Sequence, residues 1–364
     1  MLTCYAIGVS TRNPNGEPRV TLKFLAERLG LSRTTISFVL SNSPMARTIA
    51  PQTRERILKA AKEYEYRPNF LARSLSQGRS YLIGVLSPDL AEGYDASLLA
   101  GIEQYLFQSD YHFFVASHQW SEARIRRTAE LFQERGVEGV ILVNSDSFPK
   151  SHLPVVRIAR HDPPLKGTSL IVDNHEGIRR ALEHLVLLGH RNIAFIKGHS
   201  GSADTEDRWE AVLAAASELS IRINPSLVAQ LKRVGTQPMA PVEEGMRCAE
   251  QLLPHRGEFT ALLAFNDISA IGAINRFRDA GWSIPEDLSV VGFDDVIEAS
   301  ITYPALTTVQ QPLRLMGSTA AREIISAITD GPQDRQIVFS PQLIVRNSTA
   351  AVKTTKRAAR KMSN

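Results

Sequence analysis

Five side chains with hydrogen-bonding or stacking chemistry share one face of a short helix predicted for GLSRTTISFVLSN, residues 30 to 42. The apolar residues Ile36, Val39 and Leu40 recur at i, i+3 and i+4 and form its buried stripe. The outward face carries Arg33, Thr34, Ser37, Phe38 and Ser41. A guanidinium and short hydroxyls can bind the base edges and phosphates of nucleic acid. Phe38 is the unexpected member, since large aromatic side chains are mostly buried.

The residues around this helix predict a unit of three short helices. Thr21 and Gly30 bracket a segment with helical apolar spacing, so a capped helix of roughly eight residues is expected there. Ser32 is a suitable N-cap for the second helix, and Pro51 suits the first turn of the third. The apolar positions of the outer helices are Leu22, Leu25, Ala26 and Leu29, and Ile57, Leu58, Ala61 and Tyr64. Two helices joined by a short glycine-containing turn form a helix-turn-helix unit, whose second helix enters the DNA major groove.

Charge is distributed unevenly along the chain. Residues 1 to 79 carry 13 basic and 5 acidic residues, 80 to 352 carry 24 and 33, and 353 to 364 carry 5 and none. A basic segment attached to a larger acidic one indicates that the N-terminal segment meets a polyanion. For the basic tail, non-specific attraction to phosphate and a merely solvated charged face are equal alternatives.

Composition excludes several classes of protein. The 364 residues predict two or three domains, and 43% apolar with 22% charged residues is typical of a globular chain. Two cysteines are too few for a disulfide framework, and no apolar run reaches the ~20 residues that span a bilayer. The first residues lack the basic start and cleavage site of a secretory signal. We therefore expect a cytoplasmic protein without membrane contact.

Several motifs in fixed order resemble those of lactose-repressor-type (LacI/GalR family) transcription regulators. The N-terminal ones are VTLKFLAERLGLSRTTISFVLSN and TRERILKAAKEYEYRPNFLARSLSQGRSYLIGVLSPD. The later ones are DNHEGIRRALEHLVLLGHRNIAFIKG, FNDISAIGAI, IPEDLSVVGFDD and YPALTTVQQPLRLMG. The resemblance extends to residue 350 and leaves out residues 1 to 18 and the basic tail.

The resemblance implies roles for six residues at the second helix. The base-reading positions are Arg33, Thr34 and Phe38, and the phosphate-contacting positions are Ser32, Thr35 and Ser37. Arg33 fits, because arginine can form a bidentate pair with guanine. Phe38 departs from the family, which commonly has an arginine there. A phenylalanine can pack on thymine methyl groups or fold back on a neighbouring helix, and we favour the DNA contact. The connection SPMARTIAPQ is also longer than is usual in the family.

Residues 68 to 80 are expected to form a hinge and linker. Pro68 disfavours helix at its predecessor, Asn69 can cap, and residues 70 to 75 make too short a helix to be stable alone. The resemblance implies a hinge helix that orders on operator DNA, with Asn69, Ala72 and Leu75 at the minor groove. Leu75 would insert as an apolar wedge that kinks the duplex. The alternative is a linker leucine resting on the next domain.

From residue 81 onward, short apolar runs alternate with helical stretches. The runs are LIGVL (82–86), HFFVA (112–116), GVILV (139–143), VVRIA (155–159), NIAFI (192–196), ALLAF (261–265) and VVGF (290–293). Strands spaced by helices predict right-handed βαβ units and parallel sheets covered on both faces. The resemblance implies a periplasmic-binding-protein-like architecture of two α/β lobes around a ligand cleft. Its crossovers would lie near SLIVDN, near YPALTTV and near residue 330.

Polar residues that follow these runs are candidates for ligand contact, because ligands bind beyond the carboxyl ends of parallel strands. They are Ser87, Asp89, Asn144, Asn266, Asp267, Asp294 and Asp295. Three residues match effector-contacting positions of the family: Arg208, Asn266 and Asp294. Such a set donates and accepts hydrogen bonds and suits vicinal hydroxyls or a carboxylate.

We predict that five residues bind the effector: Arg208, Asn266, Asp294, Asp89 and Asn144. Asp267 and Asp295 are assigned to capping of the following helices, the common use of aspartate at such junctions. EGYDA, residues 92 to 96, stands where the family often has an Asn-Pro-aromatic-aromatic segment over the ligand, so the resemblance does not identify the effector.

Motifs for enzymatic chemistry are missing. GHSGS, residues 198 to 202, lacks the final glycine of the nucleophile elbow G-x-S-x-G, and there is no phosphate-binding P-loop. The nine histidines show no metal-ligand spacing. We expect no enzyme, cofactor or metal. A stand-alone periplasmic-type sugar-binding protein is the better alternative, but the missing signal and the basic N-terminal unit argue against it.

The sequence thus predicts an N-terminal all-α helix-turn-helix DNA-binding domain and a periplasmic-binding-protein-like α/β effector domain of two doubly wound lobes. The segments are an extension (1–18), the DNA-binding domain (19–67), the hinge (68–80), the effector-binding and dimerisation domain (81–350) and the basic tail (351–364). The expected function is that of a homodimeric transcription regulator of the repressor type. It would bind a near-palindromic operator under control of a small molecule, a sugar or related metabolite, in the inter-lobe cleft.

Overall fold

The structure is a computed structural model that describes residues 20–41, 43–66, 78–90, 93–145, 148–149, 151–158, 167–200, 203–232 and 241–353. Three predicted features lie outside the described residues. They are the extension 1–18, the tail from residue 354, and the hinge positions Asn69, Ala72 and Leu75, of which Leu75 is the predicted minor-groove wedge. The chain divides into two compact units, residues 1–80 and residues 81–364.

The first unit contains the three predicted helices. They are α1 (Leu22–Leu29), α2 (Arg33–Leu40) and α3 (Pro51–Glu63), with a 3-10 turn at Pro44–Thr48. Thr21 Oγ1 accepts a hydrogen bond from the Phe24 amide at 3.2 Å and caps α1. Gly30 ends α1 with φ at 66°, a conformation that glycine adopts without steric cost. The capped first helix, the glycine turn and the proline start of the third helix are therefore confirmed.

A small apolar cluster joins the three helices. Its buried members are Leu25, Ala26, Ile36, Val39, Ala46, Ile57 and Ala60. One predicted core position of α3 is wrong, since Leu58 is 54% exposed and Ala60 is buried. Ile57, Ala60 and Tyr64 follow one another at i, i+3 and i+7, and Leu58 lies beside that stripe. The inner face of α2, with Ile36 and Val39, agrees with the predicted one, so its opposite face points outward.

The second unit alternates strands and helices along the chain. The strands are β1 (Leu82–Ser87), β2 (His112–Ser117), β3 (Gly139–Val143), β4 (Val155–Ile158), β5 (Thr168–Val172), β6 (Ile193–Lys197), β7 (Val228–Gln230), β8 (Ala261–Ala264), β9 (Ser289–Asp294), β10 (Thr307–Gln310), β11 (Arg335–Phe339) and β12 (Gln342–Ile344). The helices are α4 (Gly93–Gln108), α5 (Glu122–Glu134), α6 (Asn174–Leu187), α7 (Ala203–Glu218), α8 (Pro241–Leu252), α9 (Asp267–Asp279), α10 (Ile297–Ile301) and α11 (Leu313–Thr329). Short 3-10 turns lie at Pro225–Leu227 and Leu253–His255.

These strands form two six-stranded sheets with the same pattern. The orders are β11-β5-β4-β3-β1-β2 and β12-β10-β9-β8-β6-β7. Neighbouring strands are parallel except for β12, which runs antiparallel to β10. Apolar clusters lie on both faces of each sheet. The two doubly wound lobes are therefore confirmed. Within the described ranges, no helix is both long enough and apolar enough to span a membrane.

The chain passes between the lobes at three places. It leaves the first sheet after Val172, returns to the first lobe after Gln310, and leaves it again after Phe339. The first two crossings agree with the prediction. The third lies at residues 340–341 and not near residue 330, because β11 still pairs with β5 of the first sheet.

In the first lobe, α4 and α11 pack with their backbones in close contact. A Cβ atom on Gly317 would lie 2.1 Å from the carbonyl oxygen of Leu98, and one on Gly101 would lie 2.0 Å from that of Arg314. Neither neighbour is a flexible side chain that could move away. The two glycines therefore fix the distance between the helices.

We expect Gly317→Ala to lower the free energy of unfolding by about 1–3 kcal/mol, because a methyl group must force the two backbones apart. The measurement is chemical denaturation followed by circular dichroism. Ser318→Ala, at the next position of the same helix, is the control and should shift the midpoint far less. Equal midpoints for the two variants would contradict the close-contact argument.

Candidate functional site

The N-terminal end of α2 presents its polar side chains to solvent. Ser32, Arg33 and Thr34 are exposed, and Thr35 and Ser37 are half-buried. The N-terminal residues of a recognition helix are those that meet base edges in helix-turn-helix proteins. The structure therefore brings five of the six predicted DNA-contacting residues together on the accessible surface of one helix.

Capping of α2 occupies hydroxyl acceptors and leaves a hydroxyl donor. Ser32 Oγ accepts from the Thr35 amide at 3.0 Å and lies 2.8 Å from Thr35 Oγ1. One of these two hydroxyls donates to the other, so the second hydroxyl proton can point away from the helix. A phosphate accepts hydrogen bonds, and the start of a helix carries partial positive charge. The predicted cap at Ser32 is confirmed, and it is compatible with phosphate contact.

Phe38, the sixth predicted residue, lies on the same helix and is half-buried. The buried residues of α2 are Ile36 and Val39, which face the apolar cluster of the unit. Phe38 therefore has part of its ring available to a partner.

In the second unit, a cavity of ≈ 90 Å³ lies where strand ends from both sheets meet. Most of its lining residues come directly after β1, β2 and β3 of one sheet and after β6, β7, β8 and β9 of the other. The lining residues are Pro88, Tyr94, Asp95, Trp120, Asn144, His199, Asp204, Arg208, Leu231, Glu244, Phe265, Asn266 and Asp294. Carboxyl ends at the point where strand order reverses are the usual ligand position in doubly wound sheets.

Strained backbone conformations concentrate around this cavity. Five of the nine described non-glycine residues with positive φ lie there: Gln119, Trp120, Asn144, Asp294 and Asp295, with values of 44°, 57°, 46°, 119° and 59°. All five follow or end β2, β3 or β9. Side chains other than glycine rarely adopt these values, and such strain is common at binding sites. The side chains of Trp120, Asn144 and Asp294, three of these five residues, line the cavity.

Arg208 is the central charged group of the site. Its Nε donates to Asn174 Oδ1 at 3.1 Å, and Nη1 donates to the Phe265 carbonyl at 2.7 Å. Nη2 lies 3.6 Å from Asp294 Oδ1, and the guanidinium carbon lies 3.9 Å from the Phe293 ring centroid. Arg208 is 7% exposed, so these contacts fix its orientation.

Two neighbouring residues after β8 differ from their predicted roles. Asn266, predicted only as a ligand residue, caps α9, because its Oδ1 accepts from the Ser269 amide at 2.9 Å. Asp267, predicted as the cap, is fully buried; its Oδ2 accepts from the Val296 amide at 2.9 Å, and its Oδ1 accepts from the Thr308 hydroxyl at 2.5 Å. Burial first, and then the charge of Asp294, raise the pKa of Asp267 well above its usual range.

Asp294 and Asp295 end β9 with different partners. Asp294 Oδ1 accepts from Gln311 Nε2 at 2.6 Å and faces the cavity. Asp295 accepts from Arg346 Nη2 at 2.6 Å and from Gln310 Nε2 at 2.7 Å. Asp295 therefore does not cap α10, whose start at Val296 has no side-chain hydrogen bond. The two adjacent carboxylates therefore have separate partners and do not share a proton.

Four of the five predicted effector residues line the cavity: Arg208, Asn266, Asp294 and Asn144. Asp89 does not belong to its lining. Sequence reasoning missed the residues on helices α4, α7 and α8, namely Tyr94, Asp95, Asp204 and Glu244, and the loop residues Trp120 and His199. Tyr94 and Asp95 belong to EGYDA, so this departure from the family pattern marked the right position.

Two further polar features shape the walls. His199 Nε2 lies 3.0 Å from Glu244 Oε2, across the start of α8. Burial and the charges of Asp204, Asp294 and Asp95 raise the pKa of Tyr94 well above its usual range, so its hydroxyl stays neutral. In the described part of the chain, no group of three or more His, Cys, Asp or Glu residues is arranged to hold a metal ion.

Two family profiles match the chain. Residues 21–69 match the family described as bacterial regulatory proteins, lacI family. Residues 182–349 match the periplasmic binding protein-like domain. The first match covers the helix-turn-helix unit, and the second covers most of the second lobe.

Curated relatives and solved structures match nearly the whole chain. The HTH-type transcriptional regulator DegA of Bacillus subtilis is 28% identical over 92% of this chain and 100% of its own length. The HTH-type transcriptional repressor PurR of Haemophilus influenzae is 28% identical over 91% of this chain and 99% of its own. The lac repressor dimer bound to operator and the anti-inducer ONPF has a TM-score of 0.79 at 26% identity, covering 92% of this chain and 100% of that one. A CelR–cellobiose complex has a TM-score of 0.67 at 26% identity, covering 91% and 100%.

The raised pKa of Asp267 predicts the direction in which the free energy of unfolding changes with pH. Between pH 3.8, where the unfolded chain releases this proton, and the higher pKa of the folded state, the native protein holds a proton that the unfolded chain has lost. The resulting stabilisation is complete below that pH and is lost as pH rises through the native pKa, at up to about 1.4 kcal/mol per pH unit. Asp267→Asn stays neutral at every pH. The free energy of unfolding of this variant should therefore rise relative to that of the parent as the pH increases from 5 to 8.

The measurement is urea unfolding of both proteins at pH 5 and pH 8. Asp279→Asn, an exposed substitution at the other end of α9, is the control and should follow the parent. A difference between parent and Asp267→Asn that stays constant with pH would show that Asp267 is ionised in the native state.

Proposed function

The chain belongs to the LacI family of bacterial regulatory proteins, and from that premise we propose that it is a ligand-controlled transcriptional repressor. Two protomers of a homodimer present their helix-turn-helix units to the halves of a near-palindromic operator. A small molecule bound between the two lobes of the second unit controls the affinity for that operator. Its site of action is the cytoplasm, where bacterial operators lie.

One observation carries this proposal: a single chain combines a helix-turn-helix unit whose second helix exposes polar side chains with a partly closed, charged cavity between two lobes. A stand-alone sugar-binding protein needs only the second of these. The curated relatives DegA and PurR are an HTH-type transcriptional regulator and an HTH-type transcriptional repressor. The lac repressor structure that resembles this chain is a dimer on operator DNA with a small molecule bound.

For DNA, we assign base contact to Arg33, Thr34 and Phe38. Ser32, Thr35 and Ser37 position α2 on phosphates through their hydroxyl donors. The hinge positions Asn69, Ala72 and Leu75 lie at the minor groove in this proposal, with Leu75 as the wedge between base steps. The net positive charge of residues 1 to 79 supports all of these contacts.

For the effector, we assign contact to Arg208, Asn266, Asp294 and Asn144. We do not assign effector contact to Asp89, because it does not line the cavity. Coupling requires that the ligand favour one arrangement of the lobes over the other. The lobes are joined by three crossings, which are the segments that such a change must rearrange.

The first test is selection of genomic fragments by the purified protein, with and without metabolite mixtures. We expect enrichment of one near-palindromic site and a change in its yield with some mixture. Arg33→Ala should weaken binding to that site by about 1–3 kcal/mol and relax base preference at one position per half-site. Enrichment of no sequence over bulk DNA at physiological salt would refute the proposal.

The second test concerns Phe38. We expect Phe38→Ala to change base preference at one or two positions of each half-site while preserving the unfolding midpoint, because its ring contacts thymine methyl groups. Phe24→Ala removes another partly exposed aromatic ring, on α1, and serves as the control. If Phe38→Ala selected the parental motif and lost stability, Phe38 would be a packing residue.

A further inference from the structure

A carboxylate of the second lobe lies against the first residue of a helix of the first lobe. Glu298 belongs to α10, which follows β9 of the second sheet, and Gly93 begins α4 of the first lobe. A Cβ atom on Gly93 would lie 2.6 Å from Glu298 Oε2 and 3.1 Å from the Cβ atom of Val296. Both neighbours belong to the second lobe, so the two lobes touch here through the backbone of Gly93.

The lack of a side chain at Gly93 makes this contact possible. Gly93 is not among the described glycines with positive φ, so its backbone conformation is one that other residues adopt. The distances show instead that a Cβ atom would collide with the carboxylate of Glu298 and press on Val296. Glycine at this position therefore serves the close approach of the two lobes.

The carboxylate oxygen at this contact lacks a hydrogen bond. Glu298 Oε2 is inaccessible to solvent and has no hydrogen-bond partner within the described residues. A buried acceptor without a donor costs free energy. The start of α4 can supply the donor, because the first amides of a helix have no acceptor within the helix and carry partial positive charge. A small movement that joins the two groups would therefore be favourable.

Both sides of this contact border the ligand cavity. On α4, Tyr94 and Asp95 follow Gly93 directly and line the cavity. In the second lobe, Asp294 lines the cavity and lies two residues before Val296. Short stretches of chain thus join the cavity walls of both lobes to the contact. A ligand that draws these walls together moves α10 towards the start of α4.

We propose that Glu298 is a positioning residue of the ligand response: as the lobes close, its carboxylate accepts a hydrogen bond from the first-turn amides of α4 and stabilises the closed arrangement. This inference rests on the proposed function, because it names a residue that couples the cavity to the arrangement of the lobes. Glu298 does not line the cavity and acts without touching the ligand. A charge-assisted hydrogen bond that forms in only one arrangement shifts the equilibrium between two arrangements.

Hydrogen exchange of the full-length protein, alone and with the metabolite mixtures of the operator experiment, tests this contact. In at least one of these conditions, we expect the amides of residues 93 to 96 to exchange roughly 10-fold faster in Glu298→Ala than in the parent, the usual effect of one hydrogen bond to a charged group. Glu298→Gln keeps an acceptor of the same length and should give an intermediate rate. Glu286→Ala, an exposed substitution in the same lobe, is the control and should follow the parent. Equal exchange in the parent and Glu298→Ala under every condition would overturn the proposal.

Gly93→Ala separates the contact from the intrinsic stability of α4. Alanine forms helices better than glycine, so a helix start that depends on its own sequence should exchange more slowly in this variant. A methyl group at residue 93 instead pushes against Glu298 and Val296, so we expect faster exchange of the first-turn amides. Thermal unfolding checks that each variant folds. Slower exchange in Gly93→Ala than in the parent would contradict the close contact of the lobes.

A disulfide across the contact tests its effect on DNA binding. Gly93→Cys with Val296→Cys, in Cys4→Ser protein, places two Cβ atoms near the spacing that a disulfide needs. Cys248 is 1% exposed and does not compete. We expect the oxidised and reduced forms to differ roughly 10-fold in affinity for the operator fragment that the parent selects, because only the reduced form can rearrange its lobes.

The two kinds of measurement separate this inference from the proposed function. Equal operator affinities of the oxidised and reduced forms would refute the positioning role of Glu298 and leave the repressor function in place. A parent protein that selects no operator would refute the repressor function, whereas the exchange measurements would still decide whether Glu298 holds the start of α4.

Discussion

The buried guanidinium of Arg208 is the interaction on which the ligand-binding end of the second lobe depends. It connects the start of α6 through Asn174, the end of β8 through the Phe265 carbonyl and the end of β9 through Asp294. Two phenylalanine rings cover its faces, with centroids 4.6 and 3.9 Å from the guanidinium carbon. Removing one partner of such a buried ion pair costs about 3–5 kcal/mol, because the other charge stays buried. Three separate elements are thus held in one arrangement by one side chain.

Periodicity and capping rules were sufficient for the three helices of the first unit and for seven of the twelve described strands of the second. Thr21, Gly30, Ser32 and Pro51 set the boundaries of three short helices because each acts within a few residues of itself. The seven apolar runs became strands because buried parallel strands are apolar along their whole length. Five strands were not among the predicted runs: β5, β7, β10, β11 and β12. Their apolar runs are shorter or interrupted, and their positions depend on pairing with distant strands. The exposed position of Leu58 was missed because helical spacing gives the width of a stripe only approximately.

The cavity was predictable only in part. The rule that ligands bind beyond strand ends found Asn144, Asn266 and Asp294, because that rule concerns position in sequence after a strand. It could not find Asp204 or Glu244, which reach the cavity from helices that fold back over the strand ends. It also could not separate Asn266 from Asp267. Both follow β8, and the difference is that Asp267 turns towards Val296 and Thr308, residues that are distant in sequence.

The connections between the lobes explain how a ligand in this cavity acts at a distance. Asn174, which accepts from Arg208, begins α6 directly after the first crossing, and Gln311, which donates to Asp294, lies in the second. The Asp173 amide in the first crossing donates to the Phe339 carbonyl at 3.0 Å, at the start of the third. The Arg208–Asp294 pair is therefore one hydrogen bond away from two of the three crossings, and the third is bonded to the first. In the proposed function, a ligand bound beside this pair would act on the segments that join the lobes and so favour one arrangement of the lobes over another.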